Sequence, residues 1–231
     1  TSLAIMDQKI TYVDDTLNTQ KTPYTINDEL YKNSRLSLAV SYSTKLASAV
    51  TWKTGAFVSR IGYNFQQSLY DFNAGVYRSN IINGEGNTVL WQPYTQLNIK
   101  INPKFTVNAG LHVLYLSLNK TRSIEPRASF QYRINPNHSI SLAIGQHGKT
   151  LPLGSYFYKA PNGSLPNLDL EMMKSTHFVA AYDWLMKKNW RLHAEAYLQK
   201  LTAIPVVNDV NRTFWMLNMI DGYANEALVN R

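Results

Sequence analysis

Five histidines are the first residues in this chain whose chemistry suggests a functional site: His112, His138, His147, His177 and His193. No two of them have the His-x-x-x-His spacing, and none belongs to a paired carboxylate motif. Four lie on the polar faces of predicted strands, and His138 lies in a predicted turn. Hydrogen bonding is favoured over metal ligation, which needs convergent geometry. The sequence therefore predicts no metal site and no cofactor.

Catalytic chemistry has few other candidates. The chain has no cysteine, which excludes a disulfide scaffold, a thiolate metal site and a Cys nucleophile. Asp183 and Glu195 are candidate acid–base carboxylates, but neither a nucleophile nor an oxyanion site accompanies them. Gly84-Glu85-Gly86-Asn87 falls in a predicted long loop without the following helix that phosphate binding needs, so loop flexibility is the better interpretation. We predict that the chain is not an enzyme.

Aromatic residues in predicted loops are the best candidates for ligand binding. Tyr156, Phe157 and Tyr158 precede Pro161-Asn162-Gly163 in one long loop, and Trp215 lies in the last one. Exposed aromatic clusters often mark recognition sites. Packing of one loop on another explains the same residues equally well, and the sequence leaves both interpretations open.

The composition limits the class of protein that positions these residues. The 231 residues are 45% apolar, 12% aromatic and 16% charged, against roughly 25% charged in an average soluble domain. The many aromatic residues argue against disorder. No apolar run approaches the roughly 18 residues of a transmembrane helix. No basic segment leads into an apolar core at Thr1, so we expect no secretory signal there.

Alternation of apolar and polar residues with a period of two predicts eight strands. They cover residues 35–42, 50–58, 91–99, 105–115, 127–134, 139–144, 176–184 and 190–198. Short polar turns are expected at 45–48, 101–104, 135–138 and 185–189. Between these hairpins lie long segments at 60–90, 147–174 and 202 onward, with a shorter link at 119–123. Short turns at one end and long loops at the other are typical of an up-and-down outer-membrane barrel.

Charge and aromatic placement support the membrane interpretation. None of the positions assigned to the apolar face is Asp, Glu, Lys or Arg, whereas the opposite face carries eight charged residues: Arg35, Lys53, Lys100, Arg127, Arg133, Asp183, Arg191 and Glu195. Aromatic residues of the apolar face lie near the short-turn ends, as in an aromatic girdle: Tyr42, Phe105, Tyr132, Trp184 and Trp190. A soluble β-sandwich also alternates, but its outward face usually carries more Lys and Glu. The general preference of aromatic residues for strands is the alternative to a girdle.

Arginines on the polar face form a second set of binding candidates. Arg127, Arg133 and Arg191 would contact a lumen-filling domain or an anionic ligand, while a salt-bridged barrel wall is the favoured alternative. The net charge of +8 is scattered along the chain rather than gathered in a stripe. We therefore expect no nucleic-acid partner.

An ordered series of short segments resembles a known family. It comprises Glu125 to Phe130, Asn137 to His147, Leu151-Pro152-Leu153 with Tyr156-Phe157, Asn167 to Leu170, Ser175 to Val179 with Tyr182-Asp183, Leu192 to Tyr197, and Ile204-Pro205-Val206. In this order and spacing the series resembles the barrel of TonB-dependent outer-membrane receptors, in the version common in Bacteroidetes-type bacteria. The resemblance runs from about Asn33 to the end of the chain.

The resemblance implies an all-β, antiparallel transmembrane barrel of about 22 strands closed by a plug domain. Residues 1–231 would be a part of that barrel, with the signal peptide, the plug and further strands outside the sequence. Such receptors lie in the outer membrane of Gram-negative cells and import a siderophore, glycan, peptide or vitamin-like nutrient. The implied partners are the TonB complex acting through the missing plug, outer-membrane lipid and the nutrient, and a surface lipoprotein is a further candidate. A soluble or surface all-β binding or adhesion domain is the alternative, and an enzyme in a small barrel is a third.

Overall fold

The computed structural model describes residues 2–14, 23–72, 74–187, 189–207, 209, 215–218 and 226–231, and they form a nearly all-β chain. The long strands are β1 (Ser2–Asp14), β2 (Tyr24–Ala47), β3 (Val50–Asp71), β4 (Val76–Lys100), β5 (Phe105–Leu116), β6 (Thr121–Asn135), β7 (His138–Lys149), β8 (Met173–Lys187) and β9 (Trp190–Thr202). The short elements are the 3₁₀ turns η1 (Leu153–Phe157) and η2 (Met216–Asn218) and the strands β10 (Pro205–Val207) and β11 (Leu228–Asn230). Within the described ranges, no helix is long and apolar enough to cross a membrane.

The long strands form one antiparallel meander in chain order, from β1 to β9. Every neighbouring pair is antiparallel, and the short turns 48–49, 101–104 and 136–137 all lie at one end of the sheet. The segment 150–172 joins two strands at the opposite end. The predicted up-and-down antiparallel topology is confirmed.

The predicted count of eight strands omitted the first strand of the sheet. Strand β1 pairs with β2 from Ser2↔Ser37 to Asp14↔Tyr24. Its apolar residues fall on both parities of the strand, so that no uncharged face stands out. The described residues thus form nine strands of the wall instead of eight.

The predicted long loop 60–90 is wrong, because most of this segment is strand. Strands β3 and β4 run through it, and between them the amide of Gly75, which has φ +66°, donates to the carbonyl of Asp71 at 2.8 Å. Strands β2, β3 and β4 have 24, 22 and 25 residues, about twice the roughly 9–11 that a bilayer needs. A bilayer covers only part of a strand of this length, and no apolar outward face is required over the rest, so the sequence alternation fades there.

The two faces of the sheet differ over the middle of each strand. Leu38, Val40, Leu142 and Leu198 point to one face and are 51–67% exposed. The residues that alternate with these along the strands point to the other face and are mainly Ser, Asn, Gln, Gly, His and Arg. A soluble sandwich would bury the apolar face, whereas a bilayer covers it with lipid. We call the polar side the lumen face.

Aromatic side chains meet on the outward face near the short turns. Phe105 stacks on Tyr132 with ring centroids 4.5 Å apart, and Tyr42 meets Trp52 edge-on at 6.2 Å. Trp190 at the last of these turns is 71% exposed. The rings from separate strands therefore lie together at the short-turn end of the outward face, the end at which the sequence predicts an aromatic girdle.

The main apolar core lies at the opposite end, on the lumen face. Tyr63 and Phe65 of β3, Ile82 of β4 and Leu116 of β5 pack against residues of the loops. The loop members of this core are Leu151, Tyr156, Phe157, Leu170, Met172, Ile204, Met216 and Leu228. The loops thus fold over the lumen side of the extended strands.

Candidate functional site

Glu125 anchors the polar network of the lumen face. Its side chain is 1% exposed, and its carboxylate accepts hydrogen bonds from Arg127 Nη2 at 2.7 Å and from the amide of Gly148 at 2.7 Å. His112 Nδ1 lies 2.9 Å from the same carboxylate. These groups come from β5, β6 and β7, so Glu125 links three strands. A buried carboxylate is stable only when it is paired and hydrogen-bonded in this way.

Two further histidines extend this network across β7 and β8. The rings of His147 and His177 meet edge-on with centroids 4.9 Å apart. His177 Nε2 is 2.7 Å from Ser175 Oγ, which also accepts a hydrogen bond from Gln199 of β9 at 2.8 Å. The expectation that histidines on the polar face act in hydrogen bonding fits these contacts.

An aromatic wall lies on the other side of the same concavity. Phe57 of β3 stacks on Tyr94 of β4 at 5.9 Å, and Lys53 Nζ lies 5.9 Å from the centre of the Tyr94 ring. The concavity has a volume of about 620 Å³ and extends from this wall to His147 and His177. It is large enough for a small solute or for a side-chain cluster of another domain.

The short-turn end of the lumen face carries a second charged group. Asp183 accepts a hydrogen bond from Arg191 Nε at 2.7 Å and also contacts Arg191 Nη2, while His193 Nδ1 lies 3.0 Å away. Arg133 lines the same region, and its side chain has no ion-pair partner among the described residues. Arg127 and Arg191 are thus part of a salt-bridged wall, and Arg133 is free to pair with another group.

The loop aromatics predicted as binding candidates are buried. Tyr156 is fully buried, Phe157 is 8% exposed and Tyr158 is 7% exposed. Burial raises the pKa of Tyr156 to about 12 and also raises the pKa of Tyr158. These three side chains pack one loop onto the sheet, which is the alternative that the sequence had left open. Trp215, in contrast, is 48% exposed.

Asn167 ties the two large loops together. Its amide donates to the carbonyls of Ser155 and Glu226 at 3.0 and 2.8 Å, and its carbonyl oxygen accepts from Leu228 N at 2.8 Å. The side chain is fully buried. Strands β10 and β11 add a short ladder from Pro205↔Asn230 to Val207↔Leu228. The loops are therefore held together by hydrogen bonds as well as by apolar packing.

The segment Gly84-Glu85-Gly86-Asn87 was predicted to lie in a loop. This prediction is wrong, because the segment lies in strand β4. A Cβ atom on Gly84 would lie 2.3–2.7 Å from the ring atoms of Phe157. The Phe157 ring therefore packs directly on the backbone of β4, next to Tyr63 at a centroid distance of 4.9 Å. Close packing of an aromatic ring, rather than flexibility, requires glycine here.

Over the described part of the chain, no group of three or more His, Asp or Glu side chains is arranged to hold a metal ion. The polar groups on the lumen face instead bind one another or face an open concavity. The arrangement is suited to the recognition of a ligand or a domain surface.

The fold and the two-faced wall define the class of protein as a transmembrane β-barrel of the outer membrane. The family described as TonB dependent receptor-like, beta-barrel matches residues 5–214. The chain therefore belongs to this family of transporters, which reside in the outer membrane of Gram-negative bacteria. The Bacteroidetes-type assignment stays a prediction.

Solved structures of low sequence identity share the fold. The copper transporter OprC aligns with a TM-score of 0.62 and 10% identity over 88% of this chain and 35% of its own. The ferric enterobactin receptor PfeA from Pseudomonas aeruginosa aligns with a TM-score of 0.54 and 11% identity over 89% of this chain and 33% of its own. The chain spans about a third of the length of these structures. No curated protein matches it.

Two features of the site were not found from the sequence. Alternation placed Lys53 on the polar face, but not against the ring of Tyr94. Glu125 stood out only as part of a family resemblance, since its three partners come from positions 112, 127 and 148. Pairing of the strands in register is what brings these positions together.

Proposed function

We propose that this chain forms part of the wall of an outer-membrane receptor that imports a nutrient with energy supplied by TonB. The observation that carries the proposal is the nine-stranded meander in which the middle of strands β2 to β9 has an uncharged outward face and a polar lumen face. Membership of the TonB-dependent receptor β-barrel family supports it further. The TonB complex would act through a plug domain in another part of the same receptor.

The solute would be a scarce nutrient of the siderophore, glycan, peptide or vitamin-like class. It would enter from the end of the barrel that carries the long loops. Trp215 would contact it first, because its side chain is exposed on a loop. Arg127, Arg133 and Arg191 would meet it or the plug on the lumen face. Tyr156, Phe157 and Tyr158 would hold the loop in place beneath these contacts.

Two further partners follow from the same proposal. Outer-membrane lipid would cover the exposed leucines and valines of the outward face. A surface lipoprotein would bind at the long-loop end, where β2 to β4 extend beyond the other strands. We expect no nucleic-acid partner.

Growth on single nutrients tests the proposed uptake. A strain that lacks the full-length receptor and a strain that lacks TonB would be compared with the parent strain on a panel of iron sources, glycans, peptides and vitamins at limiting concentration. We expect at least one nutrient on which both mutants grow poorly.

The control is the same nutrient at high concentration, where diffusion through porins should restore growth of both mutants. Complementation with the receptor gene should restore growth of the receptor mutant alone. Equal growth of the receptor mutant and the parent on every limiting nutrient would contradict the proposal.

A further inference from the structure

One row of paired residues crosses the lumen face from β3 to β8. The pairs are Lys53↔Gln96, Gln96↔Gly110, Gly110↔Arg127, Arg127↔Gly145 and Gly145↔His177. Arg127 thus has a glycine opposite it on both neighbouring strands. Since neither glycine contributes a side chain, the guanidinium lies in a notch in the wall, which we call the Arg127 notch.

Arg127 occupies the Gly145 side of this notch, and Gln96 of the neighbouring strand lies close on the Gly110 side. A Cβ atom on Gly145 would lie 3.3 Å from Arg127 Cγ, so the stem leans over this glycine. At Gly110 the nearest atoms to such a Cβ belong to Gln96 and Thr95 instead. The Arg127 side chain keeps 46% exposure to the lumen.

The described side chains that line the concavity around the notch include two cations and no carboxylate. Lys53 and Arg127 line it together with His112, His147 and His177, and no Asp or Glu belongs to the described lining. The nearest carboxylate, Glu125, is buried and takes its hydrogen bonds from Arg127, His112 and the backbone of Gly148. Glu125 therefore orients the guanidinium and does not block its exposed side.

A guanidinium has five N–H donors in a rigid fork that matches the two oxygens of a carboxylate or phosphate. Glu125 binds Arg127 through Nη2, which leaves further donors for a second oxyanion. Lys53, held beside the Tyr94 ring, adds a second positive charge in the same row. Charge-assisted hydrogen bonds of this kind are short and strong when water is partly excluded.

We propose that the Arg127 notch is a binding site for an oxyanion, a carboxylate or phosphate group carried by a solute that passes through the lumen. Arg127 would bind the oxyanion through its remaining N–H donors, and Lys53 would neutralise it from the other side. The inference rests on the proposed transport function, because it names the chemical class of the solute. An acidic side chain of a plug domain carries the same chemistry and is the alternative source of the oxyanion.

Binding of inorganic phosphate and of succinate to the purified full-length receptor tests the site. Affinity would be measured by equilibrium dialysis at low ionic strength, where screening is weak. We expect Arg127→Gln to weaken binding about tenfold or more, and Lys53→Gln to weaken it about threefold, since each removes one positive charge. Lys104→Gln is the matched control and should leave the affinity unchanged, because Lys104 is exposed in the short turn 101–104, outside the row and outside the proposed binding residues.

Heat-dependent mobility on gels would show that each variant still forms a barrel. If Arg127→Gln does not fold, Lys53→Gln against Lys104→Gln decides the question alone, since both side chains are exposed. Equal affinity in all variants, or no binding by the wild-type receptor, would overturn the inference. Binding that appears only after excision of the plug would also overturn it, and would assign Arg127 to an acidic group of that domain.

These results are independent of the growth experiment. Dialysis needs no TonB, so loss of oxyanion binding alongside TonB-dependent growth would defeat only the site. Oxyanion binding in a receptor that supports no TonB-dependent growth would defeat only the proposed uptake.

Discussion

Single side chains on the loops and on the lumen face have different tasks. Tyr156 is fully buried in the loop core, whereas Arg127 remains half-exposed beside its carboxylate partner. The first contributes to packing, and the second can bind a further group. The sequence alone does not distinguish these two tasks. By residue type and position, both Tyr156 and Arg127 are candidates for ligand binding.

Tyr156 makes the stability of the loops sensitive to alkaline pH. Its pKa in the folded chain is about 12, against about 10 for an exposed tyrosine. Because the folded pKa is raised, the stabilisation by neutral Tyr156 is complete below pH 10 and is lost as the pH rises from 10 through 12. We expect a loss of about 2–3 kcal/mol over this range, measured by urea unfolding of the receptor in detergent.

The matched variants for this prediction are Tyr156→Phe and Tyr197→Phe. The first should abolish most of the alkaline loss, because phenylalanine cannot ionise. Tyr197 is 71% exposed, so its variant should behave like the wild type. An unchanged alkaline loss in Tyr156→Phe would show that another group is responsible.

At the scale of elements, the Gly84–Phe157 contact joins a strand to a loop. Gly84→Ala should destabilise the docked loop by about 1–3 kcal/mol, because the new methyl group overlaps the Phe157 ring. Limited proteolysis of the loop 150–172 would report the change as faster cleavage.

The neighbouring substitution Asn83→Ala is the control, since Asn83 is exposed on β4. A second replacement, Phe157→Leu in the Gly84→Ala background, should recover part of the protection by making room for the methyl group. Cleavage at the wild-type rate in Gly84→Ala would mean that the ring is not docked on this strand.

The two faces of β7 provide a direct test of the membrane assignment. Leu142 is 51% exposed on the outward face, and Ser141 beside it points to the lumen. Leu142→Arg should cost about 2–4 kcal/mol near the bilayer midplane, whereas Ser141→Arg should cost much less. The free energy of unfolding in lipid vesicles measures both. Similar losses for the two variants would reject the assignment of faces.

At the scale of the whole molecule, the orientation of the wall in the membrane follows from the lengths of its connections. Outer-membrane barrels have short periplasmic turns and long extracellular loops. Cysteine introduced at Phe72 or Leu165, at the long-loop end, should therefore react with a membrane-impermeant maleimide on intact cells. Both side chains are exposed in the structure.

Cysteine at Pro103 is the opposite control, because this residue lies in a short turn. It should react only after the outer membrane is permeabilised, and labelling of the parent receptor without the new cysteine sets the background. Labelling of Pro103→Cys on intact cells, with protection of Phe72→Cys, would reverse the proposed orientation.

The alternation of residue types was sufficient to predict eight of the nine strands of the sheet and the antiparallel order of their hairpins. It succeeds where one face meets lipid, since every charge there is costly and the face becomes uniform. It fails in β1 and in the extensions of β3 and β4, where no such constraint applies. The predicted loop 60–90 was wrong for this reason.

The local sequence therefore determines which side of each strand faces the membrane, because successive side chains of a strand point to opposite faces whatever the rest of the fold. The candidate site depends on the tertiary structure. Its residues Lys53, Gly110, Arg127 and His177 come from separate strands, and only the pairing register of the six strands β3 to β8 brings them into one row. The same holds for Gly84 and Phe157, which lie 73 positions apart. Contacts of this kind are decided by pairing and packing across the sheet, and these are properties of the folded chain.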